Sequence, residues 1–158
     1  MTLVELAFGL ALAAVLVSLA APGMQAVARA TAMHTATFEL LSGVQQARAR
    51  SIVEGRPAVL CPAGPDGNCA AARAAVSGWQ AFLDIDGRRE SIRARNLPAG
   101  IHVHASRSPL RFWPAALASG TGTLTICDAS GRAPPRAIVI SRSGRARLES
   151  PAPGACPP

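Results

Sequence analysis

The segment Ser141-Arg142-Ser143-Gly144-Arg145-Ala146-Arg147 holds the residues of this 158-residue chain best suited to binding chemistry. Arg145 and Arg147 stand at i and i+2, so an extended backbone turns both guanidinium groups the same way. They would lie about 6.5–7 Å apart, close to successive phosphates along one DNA strand. Gly144 supplies a turn that exposes them. Arg142 and Arg132 are auxiliary candidates for phosphate contact. The competing reading is a strand end that is basic and merely solvated. Charge distribution favours a polyanion: the net charge is +7, all sixteen basic residues are arginine, and the excess lies in the second half, with twelve arginines against five acids from Arg73 onward. The absence of lysine, with abundant Ala, Gly and Pro, reflects coding bias more than selection for guanidinium.

Other reactive residues give weaker signals. Cys61 and Cys69 bracket PAGPDGN, a turn-rich loop that can bring its ends together, which favours Cys61–Cys69 and leaves Cys127–Cys156. The second pair would tie the Pro-rich tail to a strand, closing a loop of about 28 residues worth about 3–4 kcal/mol. Zinc bound by two cysteines with His102 and His104 is the alternative, but there is no C-x2-C pair. His102 and His104 share one strand face beside Arg107 and read as an ordinary exposed face. Asp84 and Asp86 flank a turn and are too few ligands for calcium. Trp79, Phe82, Phe112 and Trp113 read as core rather than as base-stacking platforms. No nucleophile–base set or phosphate-cradling glycine loop occurs, so neither an enzyme nor a cofactor is expected.

These residues must be positioned by one long helix and several short strands. From residue 25 to 54, Met33, Leu40, Leu41, Val44 and Ala47 gather on one stripe, while Glu39, Ser42, Gln46 and Arg50 form the opposite face. Gly55 and Pro57 end the helix. The period then changes to two: strands are expected at 58–61, 79–85, 91–95, 101–104, 111–113, 122–127 and 136–141, with Asp86-Gly87 making a hairpin turn. The expected fold class is α+β, with an antiparallel sheet packed on the helix.

The opening MTLVELAFGLALAAVLVSLAAP carries one charge, Glu5, and nothing else ionises before Arg29. Its length and apolarity suit a membrane-spanning helix, and a carboxylate inside such a span marks function. It lacks the basic start and cleavage site of a secretory signal, so the anchor is expected to stay in the mature protein. The expected division is a transmembrane and assembly helix over 1–28 and one head over 29–158, with strands after about residue 54 and a tail at 150–158. A helix from 2 to 54 would run about 80 Å, well beyond a membrane.

Met1-Thr2-Leu3-Val4-Glu5-Leu6, with Pro22 where a helix kink is common, resembles the opening of mature type IV pilins and type II secretion pseudopilins. Within the head, SGWQAFLDIDG, LRFWP, GTLTICDASGRAPPRAIVISRSGRAR and CPAGPDGNC are similar to segments of FimT/GspH minor pilins. The resemblance implies a type IV pilin-like fold, a prepilin peptidase that cleaves before Met1 and methylates the new terminus, and a Glu5 that pairs with a neighbouring subunit's terminal amine. Here Met1 stands where Phe is commoner. The resemblance further implies other major and minor pilins as partners and residence in the inner membrane, head in the periplasm, before the subunit becomes extracellular in a pilus. The G-R-x-R of Gly144 to Arg147 matches the motif implicated in uptake of double-stranded DNA during natural transformation. Two alternatives stand beside it: a structural GspH-like pseudopilin of the type II secretion system, and an anchored adhesin.

Overall fold

Thr2 and Gly55 bound a single helix, α1 (Leu3–Glu54). Thr2 caps its start through the Glu5 amide, and Gly55 ends it in the left-handed conformation, φ 63°, which a residue without Cβ adopts freely. A computed structural model of the chain describes residues 2–115, 120–152 and 154–156, and of 17–22 only the helical backbone. Met1 and the side chain of Pro22 lie outside the described residues. Among the described residues no helix is long and apolar enough to cross a membrane; the expected span includes residues 17–22. The apolar side chains along the first part of α1, among them Leu3, Phe8, Leu10 and Leu16, are exposed, Leu3 by 86%.

Eight strands follow: β1 (Ala58–Pro62), β2 (Gly78–Ile85), β3 (Arg88–Asn96), β4 (Ile101–Ala105), β5 (Leu110–Phe112), β6 (Gly122–Asp128), β7 (Arg136–Ile140) and β8 (Ala146–Glu149). They form two four-stranded antiparallel sheets, ordered β3-β2-β1-β5 and β4-β6-β7-β8, where the sequence suggested one. A bridge between Val76 and Val103 links them, with hydrogen bonds of 3.0 and 2.9 Å. The hairpin turn at Asp86-Gly87 has positive φ at both residues, 51° and 83°, the combination that matches the twist of paired strands.

Both sheets pack on the same stripe of α1. Met33, Ala36, Leu40, Val44 and Ala47, spaced three or four apart, are fully or almost fully buried with Leu60, Trp79, Leu83, Val103, Phe112, Leu124, Ile126 and Ile138. Leu41, expected on the stripe, is only partly buried at its margin. A second, small cluster of Val59, Cys61 and Phe82 lies beside Cys69, so Phe82 is buried apart from the main core. Its placement follows from strand alternation: Trp79, Ala81 and Leu83 face the main core, so Phe82, paired with Val59, turns to the other face. Trp113 departs from its expected core position. It follows Phe112 at the end of an edge strand, period two turns it away from the core, and it is 43% exposed.

Trp79 meets the helix at Gly43, where a Cβ would overlap the indole six-membered ring. A mid-helix glycine costs about 1 kcal/mol relative to alanine, and here it opens the space that β2 needs. Gly43→Ala should therefore destabilise, because an overpacking penalty of about 1–3 kcal/mol exceeds the helix gain. Thermal melts of Gly43→Ala and of Gly43→Ala/Trp79→Phe check this: the smaller ring should recover part of the loss. A rise in melting temperature for the single variant would refute the packing role.

Candidate functional site

The arginine-rich segment is a hairpin rather than a strand end. The Gly144 amide donates to the Ser141 carbonyl at 2.9 Å, and the Ser141 amide to the Arg145 carbonyl at 3.0 Å. Arg142, Ser143 and Gly144 thus form a three-residue loop with Gly144 at φ 72°, the left-handed position that closes such a loop. The chain returns as β8, which the sequence analysis did not identify and which pairs along the length of β7. Arg142, Arg145 and Arg147 are exposed, whereas Gly144 is buried against the helix side. Arg147, opposite Val139, makes an ion pair with Glu149 two residues along the strand. Both groups are largely exposed, and such a pair contributes at most about 1 kcal/mol.

Gly144 and Arg145 also line a shallow groove with Gln45, Arg48, Ala49 and Ile52 of α1. Arg48 is the member that sequence reasoning missed. It stands far from the motif in sequence, and only the packing of the β7–β8 hairpin against the helix brings it near. Arg132 departs in the other direction. Its guanidinium donates to Gln25 Oε1 at 2.8 Å, and Gln25 is about 30 Å along the helix from Gln45 at 1.5 Å per residue. Arg132 therefore does not join Arg142, Arg145 and Arg147; β7 carries the chain from one end of the head to the other between them.

The loop holding Arg132 is organised by Asp128. Its carboxylate accepts from the Ser130 hydroxyl at 2.7 Å and from the amides of Ser130, Arg132 and Ala133 at 3.2, 3.0 and 3.1 Å. Burial alone would raise the Asp128 pKa, but these hydrogen bonds outweigh it and hold the pKa below the ordinary carboxylate value.

Disulfides join Cys61 to Cys69 and Cys127 to Cys156, the pairing that loop geometry favoured. All four thiols are consumed, which leaves the zinc alternative without thiolates, and no metal-binding cluster occurs among the described residues. The second disulfide lays the tail over the outer face of the second sheet. That face was expected to be open, and His104 is instead half-buried, its Nε2 lying 3.8 Å from Cys127 Sγ. Burial lowers the His104 pKa; a hydrogen bond with the Ala155 backbone works the other way, and nearby His102 adds to the lowering. Asp84 pairs with Arg111 at 3.0 Å. At the far end of α1, Thr2 and Glu5 form a reciprocal cap: the Thr2 amide donates to Glu5 Oε2 at 3.0 Å, and the Glu5 amide to the Thr2 hydroxyl at 3.4 Å. The T-x-x-E spacing is the signal that sequence reasoning passed over.

A long helix, free along its first turns and packed farther on against an antiparallel head, defines the class: a pilin-like subunit. The chain matches over residues 36–144, more than half its length, the family described as Type II transport protein GspH, and it belongs to that family as a GspH/FimT-like minor pilin or pseudopilin. Among solved structures it is similar to the type IV minor pilin FimU of Pseudomonas aeruginosa, with TM-score 0.60 and 20% identity over 78% of this chain and 94% of that one. A second crystal form of FimU gives 0.58 and 19% over 78% and 98%. The minor pseudopilin EpsH from the type 2 secretion system of Vibrio cholerae gives 0.57 and 12% over 77% and 98%. At these identities the likeness is one of fold. No curated protein matches the chain.

Asp128 generates a prediction with a defined sign. A carboxylate whose folded pKa is depressed contributes stability above its unfolded value near 3.9, and that contribution is lost as pH falls through the folded pKa. Asp128→Ala should cost about 2 kcal/mol at neutral pH, because three amides lose an acceptor. The gap in melting temperature from wild type should then narrow between pH 6 and pH 3. A gap independent of pH would show that the ionised carboxylate is not what holds the loop.

Proposed function

We propose that this subunit sits at or near the tip of a type IV pilus and captures double-stranded DNA for natural transformation. The observation that carries the reading is the β7–β8 hairpin, which holds exposed Arg142, Arg145 and Arg147 about a Gly144 turn. Contact with phosphates would run through Arg145 and Arg147, with Arg142 beside them and Arg48 on the facing helix. Arg132 has no place in that contact surface. Glu149 competes for Arg147, but an exposed ion pair of small net worth yields readily to a phosphate that releases counterions. No base-reading element accompanies the arginines, so binding should be independent of sequence.

In this proposal residues 1–28 anchor the subunit in the inner membrane, with the head, residues 29–158, in the periplasm until a prepilin peptidase has acted and the subunit joins other major and minor pilins. The exposed apolar side chains between Leu3 and Leu16, and Met24 and Val27 beyond, would be covered first by lipid and then by neighbouring helices. Glu5 would pair with the terminal amine of a neighbour. The second reading, a structural pseudopilin of a type II secretion filament, draws on the family description and on the fold likeness to EpsH.

Binding at low salt should be about micromolar or weaker, and log K should fall with log salt by about 0.9 per phosphate neutralised. Arg145→Gln/Arg147→Gln should flatten that slope by roughly 2, with circular dichroism showing an intact fold. Anisotropy measured over a salt series decides: wild-type binding in the double variant, or none in wild type, leaves the structural pseudopilin. Separately, Glu5→Ala should abolish incorporation into filaments while leaving both disulfides formed, and normal incorporation would remove the assembly role.

A further inference from the structure

A cavity of about 260 Å³ lies on the outer face of the second sheet, lined by Arg73, His104, Ser106, Thr125, Gly154 and Ala155. Its position follows from strand alternation. Along β4 and β6, Val103, Ala105, Leu124 and Ile126 enter the core, so His104 and Thr125, paired across the ladder, project to the other face. The tail supplies a wall because Cys127, on that same face, holds Cys156.

Among the described residues the lining carries the Arg73, Ser106 and Thr125 side chains as donors and no carboxylate. Ser106 Oγ accepts from the Thr123 amide at 2.9 Å, which leaves its own proton free to donate. Thr125 is only 6% exposed, and its hydroxyl has no hydrogen-bond partner among the described residues. That hydroxyl is not among the buried unpartnered polar atoms, so it opens onto the cavity and is free to bond there. Arg73 makes no ion pair among the described residues, although nine acids are present in the chain. Its backbone is held at φ 67°, unusual for a residue with a Cβ, and its amide is fixed to the Ala105 carbonyl at 2.8 Å. His104, whose Nε2 lies 3.8 Å from Cys127 Sγ, adds a polar wall.

We infer that this cavity is a binding site for a phosphate-type oxyanion, held by the Arg73 guanidinium and the Ser106 and Thr125 hydroxyls. A guanidinium with convergent O–H donors makes charge-assisted hydrogen bonds to such a group. The volume lies below the roughly 300–1,000 Å³ of typical organic-ligand pockets, which suits a small anion or the phosphate end of a larger molecule. Two sources present this chemistry. One is a free phosphate or phosphate ester. The other is a nucleic-acid backbone: Arg147 shares the outer face three strands away, about 14 Å from the Ser106 edge. Only the second source rests on the proposed DNA binding.

The test titrates the full-length chain in detergent with inorganic phosphate against chloride at constant ionic strength, following the Thr125 and Ser106 amides by NMR. Phosphate should saturate one site while chloride does not. Arg73→Gln and Thr125→Val should each weaken it about tenfold, Arg73→Lys should weaken it less than Arg73→Gln, and Arg147→Gln should leave it within twofold. Intact disulfides and unchanged melts exclude unfolding, with Ser106→Ala as a further variant should Thr125→Val not fold. Displacement of phosphate by duplex DNA lacking terminal phosphates assigns the backbone as ligand, and its failure assigns a small phosphate; either outcome keeps the site. A response to phosphate no different from chloride, or equal affinity in Arg73→Gln and Thr125→Val, overturns it. Loss of DNA binding in Arg145→Gln/Arg147→Gln, with phosphate binding unchanged, keeps the two sites distinct.

Discussion

The head depends on one contact: the stripe of Met33, Ala36, Leu40, Val44 and Ala47 on α1, against which both sheets close. The two sheets share no strand. Apart from a single bridge and the loops, what holds them in register with each other is the helix surface they both bury. Small residues alternate with large ones along that stripe. Ala36, Gly43 and Ala47 let strands approach closely, while Met33, Leu40 and Val44 fill the space between them. Trp79 on Gly43 is the tightest such approach. The Ser51 hydroxyl, donating to the Phe112 carbonyl at 2.9 Å, fastens edge strand β5 to the last turns of the helix. Everything that presents a functional group is thereby referred to one rigid element.

That dependence explains which features could be read from sequence. The stripe, the glycine cap and most strands follow from local periodicity, and local periodicity is what a linear sequence displays. β8 does not display it. Ala146-Arg147-Leu148-Glu149 has one large apolar residue, Leu148, itself 43% exposed, so pairing with β7 rather than burial makes it a strand. Trp113 was misplaced because a large aromatic suggests burial when its face is unknown. Arg132 and Arg48 exchanged roles for a similar reason. Distance along the chain says nothing about distance along a helix that the chain recrosses. The cover over His104 required knowing where the tail runs, which the Cys127–Cys156 link fixes only after its pairing is established.

The charge pattern gains meaning once it is divided by location. Arg111 pairs with Asp84, Arg50 with Glu54 and Glu90, Arg56 with Asp86 and Arg147 with Glu149, all on the surface. Such pairs add little stability. They matter as the occupied fraction of the cationic surface: among the described residues they leave twelve of the sixteen arginines without an acidic partner, including Arg142 and Arg145 at the hairpin, Arg73 at the outer-face cavity, and Arg88, Arg89, Arg93 and Arg95 along β3.

The first turn of α1 poses the opposite problem, a single acid with no cation near it in sequence. In the isolated subunit Glu5 is not bare: it accepts from the Thr2 amide and completes a reciprocal cap. A neighbour's ammonium, in the assembly proposed here, would meet a carboxylate that already holds one neutral donor. Because a carboxylate offers about four acceptor sites, the amide bond need not break for the amine to bind. A charge-assisted bond is roughly twice as strong as a neutral one, so the incoming amine gains most where water is excluded. The cap would then do two things: it fixes the helix start, and it orients the carboxylate before a partner arrives, lowering the ordering cost of docking.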